Sequence, residues 1–166
     1  MKFFIIVLYS MVLSGCVQET SSESTNYYLI RHAEKDRSDS SNQDPHLTKI
    51  GKARAKKWAD ILQHITFDAV YSTNFNRTRE TGLPTALTNN VGVTLYNENN
   101  INVSNFLKET KGKTILVVGH SNTIPEFVNT ILEEEKYQDI EDSNNGNLYI
   151  INIVDKKKLD QVLTFN

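Results

Sequence analysis

The fold is decided by residues 27–35, Tyr27-Tyr28-Leu29-Ile30-Arg31-His32-Ala33-Glu34-Lys35. Four consecutive apolar or aromatic residues stop at a cation and an imidazole, and no helical spacing runs through them. That is the pattern of a buried strand ending in exposed polar groups. Open α/β sheets hold their ligands at the carboxyl ends of their strands. An Arg-His pair also suits a solvated loop, so the reading depends on later strands delivering matching residues to the same edge.

Toward the C-terminus, Asp36 to His46 is polar and reads as an exposed loop. From Leu47 the pattern turns helical: Leu47, Gly51, Ala55, Trp58, Leu62 and Ile65 recur at steps of three and four, with Thr48 as the cap and Lys49, Lys52, Lys56 and Asp60 on the solvated face. Phe67 to Tyr71 is a second short strand ending at Ser72. In the helix that follows, Asn74 is the expected cap, Arg77 lies in the first turn near free backbone amides, and Pro84 should end or kink it. Val91 to Tyr96 is a third strand near an edge, and Asn102 to Glu109 is at most a short helix.

Ile115-Leu116-Val117-Val118-Gly119 is the most β-branched run and hence a central strand, ending in His120. Ser121 or Asn122 can cap the next helix, whose buried stripe is Ile124, Phe127, Val128, Ile131 and Leu132. An acidic connection leads to Leu148 to Val154 and Leu159 to Phe165, a closing hairpin joined by Asp155 to Lys158. The order implies an α/β three-layer sandwich: a mostly parallel sheet with an antiparallel edge hairpin.

Toward the N-terminus the composition changes. Lys2 precedes an apolar run too short to span a bilayer comfortably, the layout of a signal peptide over residues 1–15. Leu13-Ser14-Gly15-Cys16 resembles a bacterial lipobox, which implies a lipid on Cys16, the single cysteine of the chain. An ordinary secretory signal or a short membrane anchor is the alternative. Residues 16–26 then form a lipidated cysteine with a polar tether, and residues 27–166 the folded domain. The expected location is the bacterial cell envelope, anchored to a membrane by lipid. Val17, in place of an aspartate that retains lipoproteins at the inner membrane, favours the outer one. The length of 166 residues suits one folded domain, and a formal charge of −2 argues against a nucleic-acid surface.

Three strands thus end in Arg31 and His32, in Ser72 followed by Arg77, and in His120. Two arginines and two imidazoles at one sheet edge describe a cup for a small, doubly charged anion such as phosphate. The motifs around them, RHAEK, NRTRET and VGHSNT, resemble the signatures of the histidine phosphatase superfamily, also called phosphoglycerate mutase-like. LTKIGKARA, Leu47 to Ala55, resembles its LTxxGxxQA element.

The resemblance implies a phosphatase in which His32 attacks phosphorus and carries the phosphoryl group, with Arg31 and Arg77 binding its oxygens in forked pairs and His120, protonated in the complex, stabilising the growing charge. Imidazole is nucleophilic when neutral, a form the flanking cations favour. Amides near Ser121 and Asn122 are further phosphate contacts. No metal and no cofactor is expected.

Two positions depart from the family. Ala33 replaces a glycine. The loop after it lacks the usual phosphate-contacting asparagine, for which Arg37 and Asn42 are the residues at hand. Glu98 is the candidate general acid, the alternative being a solvated loop carboxylate. The chain lacks the insertion with which mutases enclose a sugar phosphate and resembles the short, SixA-type branch, whose substrates include phosphohistidine. A phosphorylated small molecule or phosphoprotein is the expected partner. The competing reading is a noncatalytic phosphoanion-binding envelope lipoprotein, and a third is an envelope scaffold with a vestigial pocket.

Overall fold

The computed structural model describes residues 23–98 and 100–165. The expected signal peptide, Cys16 and most of the tether lie outside the described residues. Among the described residues no helix is long and apolar enough to cross a membrane.

The elements are β1 (Ser24–Arg31), α1 (Lys49–Ile61), β2 (Ala69–Thr73), α2 (Asn76–Thr88), β3 (Val93–Tyr96), α3 (Val103–Glu109), β4 (Thr114–Gly119), α4 (Thr123–Leu132), β5 (Asn147–Val154) and β6 (Lys157–Thr164). They build one six-stranded sheet in the order β3-β2-β4-β1-β5-β6. The first four of these are mutually parallel, and β5 and β6 close the sheet antiparallel.

Strand alternation splits the core in two. Tyr27 and Leu29 of β1 face one side with Ile115 and Val117, under Phe106 of α3 and Ile124, Phe127, Val128 and Ile131 of α4. Ile30, Leu116, Val118 and Val70 face the other, under Trp58 of α1, Leu62 at its C-terminal cap and Ala86 of α2. The three layers expected from the sequence are therefore present, as is the antiparallel hairpin at one edge.

Several boundaries move, each for a physical reason. β1 begins at Ser24, three residues before the expected Tyr27, because Ser24, Thr25 and Asn26 pair with Val154, Ile153 and Asn152 of β5. The tether loses those residues. β2 runs on through Ser72 and Thr73, which pair with Leu95 and Tyr96 of β3. α1 stops at Ile61, short of Ile65.

Pro84 neither ends nor breaks α2, which continues to Thr88. Proline costs about 3 kcal/mol in a helix interior, but Thr81, Gly82, Thr85 and Ala86 are buried, and a Cβ on Gly82 would come within 3.1 Å of Val70. The cap of α2 is not Asn74. Asp44, from the preceding loop, accepts the Asn76 amide at 2.7 Å and does the same job across a gap in sequence. The side chains of Ser121 and Asn122 do not cap α4 either; Thr123 Oγ1 accepts the His120 amide instead, at 3.1 Å. The hairpin turn is only Asp155 and Lys156, both at positive φ (48° and 71°), as two-residue turns of the primed types require.

Candidate active site

Because β2, β4 and β1 are neighbours in that order, their carboxyl ends share one edge. Arg31 is opposite Gly119 in the register, and the His32 amide donates to the Gly119 carbonyl at 2.9 Å. The rings of His32 and His120 therefore meet, with centroids 5.6 Å apart and planes tilted by 66°. Phe75, just before α2, stacks edge-on against His120 at 5.2 Å and carries the Arg77 guanidinium 4.2 Å above its own ring. Three segments distant in sequence thus form one cup.

His32 is 4 % exposed. Its Nδ1 is 2.7 Å from the Ala33 carbonyl, an acceptor, so Nδ1 carries the proton and Nε2 keeps a free lone pair. Its pKa is pulled down to about 3, chiefly by burial, with His120, Arg31 and Arg77 adding to the shift and the Ala33 carbonyl opposing it. The neutral form expected from the flanking cations is there, but desolvation is its main cause.

His120 is fixed from the other side. Thr78 Oγ1 donates its single proton to the Thr73 and Phe75 carbonyls, so Thr73 Oγ1 must donate to Thr78 (2.9 Å) and accept from His120 Nε2 (3.0 Å). The proton of neutral His120 is then on Nε2, and Nδ1 is the open position. Burial, followed by Arg77, Lys35 and Arg31, pulls its pKa down to about 4. Glu98 does reach the site: its Oε1 is 4.0 Å from His120 Nε2 and its side chain is 16 % exposed.

The two arginines are held differently. Arg31 Nη1 donates to the carbonyls of Glu141, Asp142 and Asn144 at 2.9 to 3.0 Å, and Nη2 to Asp142 Oδ1 at 2.8 Å. Nε of this buried guanidinium has no partner and Nη2 has one partner for its two N–H groups, so the Nε/Nη2 edge is the side left for a ligand. Arg77 keeps Nε and Nη1 without hydrogen-bond partners in a largely buried position, with Asp44, 3.9 Å away, and Glu98 offsetting its charge. Buried, unpaired guanidinium N–H groups are costly unless an anion takes them.

The remaining motif residues hold this cup together. Thr81 Oγ1 accepts the Ala33 amide at 2.9 Å and donates to the Arg77 carbonyl at 2.7 Å, tying β1 to α2. Glu80 accepts the Leu47 amide at 2.9 Å and pairs with exposed His46. Thr48 caps α1 as expected, accepting the Gly51 amide at 3.0 Å, while its own amide donates to the Glu34 carbonyl at 2.9 Å. A Cβ on Gly51 would sit 2.3 Å from that carbonyl, which explains the glycine of this element. Arg54 occupies the place of the element's glutamine and pairs with Glu34 at 2.7 Å.

Of the other expected contacts, Ser121 uses its carbonyl to accept the Ile140 amide at 2.8 Å. Arg37 donates to Asp142 Oδ1 at 2.7 Å, and Asn42 accepts the Asp44 amide within its exposed loop. Sequence reasoning missed Thr73, Thr81, Asp142 and Asn145, whose Nδ2 donates to the His32 carbonyl at 2.8 Å. The paired threonines of NRTRET were the one available signal.

The sequence model of the histidine phosphatase superfamily (branch 1) matches residues 27–99. Among solved structures, the alpha-ribazole phosphatase from Shigella flexneri is 14 % identical with a TM-score of 0.66, covering 84 % of this chain and 96 % of that one. The protein histidine phosphatase SixA complexed with tungstate is 15 % identical with a TM-score of 0.64, covering 84 % and 96 %. A mutant phosphoserine phosphatase from Entamoeba histolytica in complex with phosphoserine is 18 % identical with a TM-score of 0.62, covering 82 % and 95 %. A search of curated proteins returned no significant match. These neighbours, phosphatases by name, share the fold, and the matched segment, residues 27–99, contains RHAEK, LTKIGKARA and NRTRET, so this part of the chain is similar to the histidine phosphatase superfamily (branch 1).

Proposed function

We propose that the chain is a metal-independent phosphatase that hydrolyses phosphoryl groups through a covalent intermediate on His32. The observation that carries this reading is a neutral His32 with a free Nε2, its ring centroid 5.6 Å from that of His120, beside buried arginine N–H groups that lack acceptors. Nε2 attacks phosphorus, the P–O (or P–N) bond to the leaving group breaks, and Glu98 supplies a proton to the departing atom. Water then attacks the phosphohistidine with Glu98 as base, phosphate leaves, and His32 returns to its starting state.

Arg31 Nε and Arg77 hold the equatorial oxygens. A bound dianion offsets the burial and the cations that keep His120 neutral, so His120 takes up a proton on Nδ1 and donates it as a hydrogen bond to the growing charge. Phosphohistidine, whose leaving group needs little help, and small phosphomonoesters are the substrate classes in view.

Hydrolysis of an aryl phosphate and of a phosphohistidine peptide by the full chain tests this. Turnover should vanish in His32→Ala with the fold retained. Turnover that survives this change removes the mechanism, and phosphate binding without any turnover in the unmodified chain supports the noncatalytic reading instead.

The run ending Leu13-Ser14-Gly15-Cys16 supports a lipid anchor on Cys16 at the cell envelope, the outer membrane in preference to the inner. Labelled fatty acid should enter the chain and be lost in Cys16→Ser; equal labelling of both would refute the anchor.

A further inference from the structure

We propose that Lys35 is a phosphoryl-binding residue of this site, reaching a nonbridging oxygen from the rim beside Arg31 and His32. The proposal rests on the phosphatase reading and adds a contact which that reading does not use. Lys35 stands four residues past Arg31, and its backbone is fixed: it bridges antiparallel to Leu47, the next amide, Asp36, donates to the His46 carbonyl at 2.8 Å, and the preceding carbonyl, Glu34, accepts from Thr48. Its side chain lines a cleft of ≈ 240 Å³ together with Arg31, His32, Arg37, Asp142 and Glu34, whose carboxylate is paired with Arg54.

What singles it out is the company it keeps. Arg31, Arg37 and Arg77 all act on it with like charge, and among the described residues its ammonium has neither a hydrogen bond nor an ion pair. The negative group it senses is Asp142, whose Oδ1 is already shared between Arg31 at 2.8 Å and Arg37 at 2.7 Å. Burial, then Arg77 and Arg37, pull the Lys35 pKa below the usual lysine range, and Lys35 in turn helps to hold His120 neutral. A partly buried ammonium among guanidiniums, with its nearest carboxylate already shared by Arg31 and Arg37, is disfavoured by its neighbours. A dianion in the cup reverses the sign of that interaction.

Arg37 is engaged with Asp142, and Asn42 closes a turn in the exposed loop, so neither fills the place of the missing asparagine. Lysine supplies a compact charge on a flexible stem, which suits a rim position that closes over a bound phosphoryl group.

The test uses inorganic phosphate and the full chain. Phosphate binding is measured by calorimetry and as competitive inhibition of aryl phosphate hydrolysis, in the unmodified protein, Lys35→Met and Lys35→Arg. One charge-assisted hydrogen bond corresponds to roughly 10-fold to 100-fold in affinity. Lys35→Met should therefore weaken phosphate binding by that factor and raise KM more than it lowers kcat, with most of the loss restored in Lys35→Arg.

Unchanged phosphate affinity and KM in Lys35→Met overturn the proposal while leaving the phosphatase reading intact. Equal losses in both variants, accompanied by a lowered Tm, also overturn it and assign Lys35 a structural role. If the unmodified chain binds no phosphate, the phosphatase reading itself fails and the proposal goes with it.

Discussion

Thr73 Oγ1 accepts the Nε2 proton of His120 at 3.0 Å while donating its own proton to Thr78, so a single buried hydroxyl decides which nitrogen of the second histidine carries the proton. The device works because Thr78 has committed its proton to backbone carbonyls and leaves Thr73 no alternative. Thr73→Val removes the acceptor at nearly constant volume. The imidazole can then adopt the wrong tautomer, and kcat should fall roughly 100-fold, a typical worth of a positioned proton donor. Thr73→Ser should keep most of the activity. Equal kcat in Thr73→Val and the unmodified chain would show that the tautomer is set elsewhere.

Arg31 and Arg77 should separate when each is changed to alanine. Arg31 organises the loop through the carbonyls of Glu141, Asp142 and Asn144, so Arg31→Ala should lower stability by on the order of 3 kcal/mol as well as weakening phosphate binding. Arg77 has unpaired N–H groups, and Arg77→Ala should leave the urea midpoint nearly unchanged while reducing kcat/KM roughly 100-fold to 1000-fold. A large stability loss in Arg77→Ala would show that its guanidinium is a structural group.

Gly51→Ala sets two effects against each other. Helix propensity favours alanine by about 1 kcal/mol, whereas the new Cβ would lie 2.3 Å from the Glu34 carbonyl oxygen. Overpacking costs about 1 to 3 kcal/mol, and the partner is backbone of the RHAEK segment itself, so the net change should be destabilising. Chemical denaturation checks the sign; a stabilised variant would mean that α1 shifts away freely.

The two buried histidines give stability a definite pH dependence. Their folded pKa values, about 3 for His32 and about 4 for His120, lie below the reference value near 6.5, so the unfolded chain binds protons that the folded chain refuses. Their contribution is fully present above pH 6.5 and is lost as pH falls toward 4, at up to about 1.4 kcal/mol per pH unit for each. Urea unfolding between pH 7 and pH 4.5 should show this slope, and His120→Asn should reduce it. Identical slopes in the two proteins would contradict the assignment.

Much of this was legible in the chain. Strands that stop abruptly at Arg31-His32 and at His120 announce their ends, because β-branched runs and cations differ so sharply. Arg77 follows from its place in the first turn of α2. Thr73 was not legible, since a hydroxyl at a strand end looks the same whether it orients an imidazole or faces water. Asp44 and Asp142 cap and clamp residues more than 30 positions away, and no local pattern encodes such pairings. The unexpected survival of α2 past Pro84 has the same origin: tertiary burial of Thr81, Thr85 and Ala86 outweighs local propensity.

The central claim is that His32 carries the phosphoryl group, and trapping it is the most direct test. The full chain is mixed with labelled aryl phosphate, quenched in alkali within the first turnover, and the label is mapped by peptide analysis and phosphorus NMR. The account predicts one acid-labile, alkali-stable phosphoryl group on Nε2 of His32, lost in His32→Ala and accumulating when Glu98→Gln slows hydrolysis. Steady turnover with no labelled protein at any time, or label on a different residue, would contradict it.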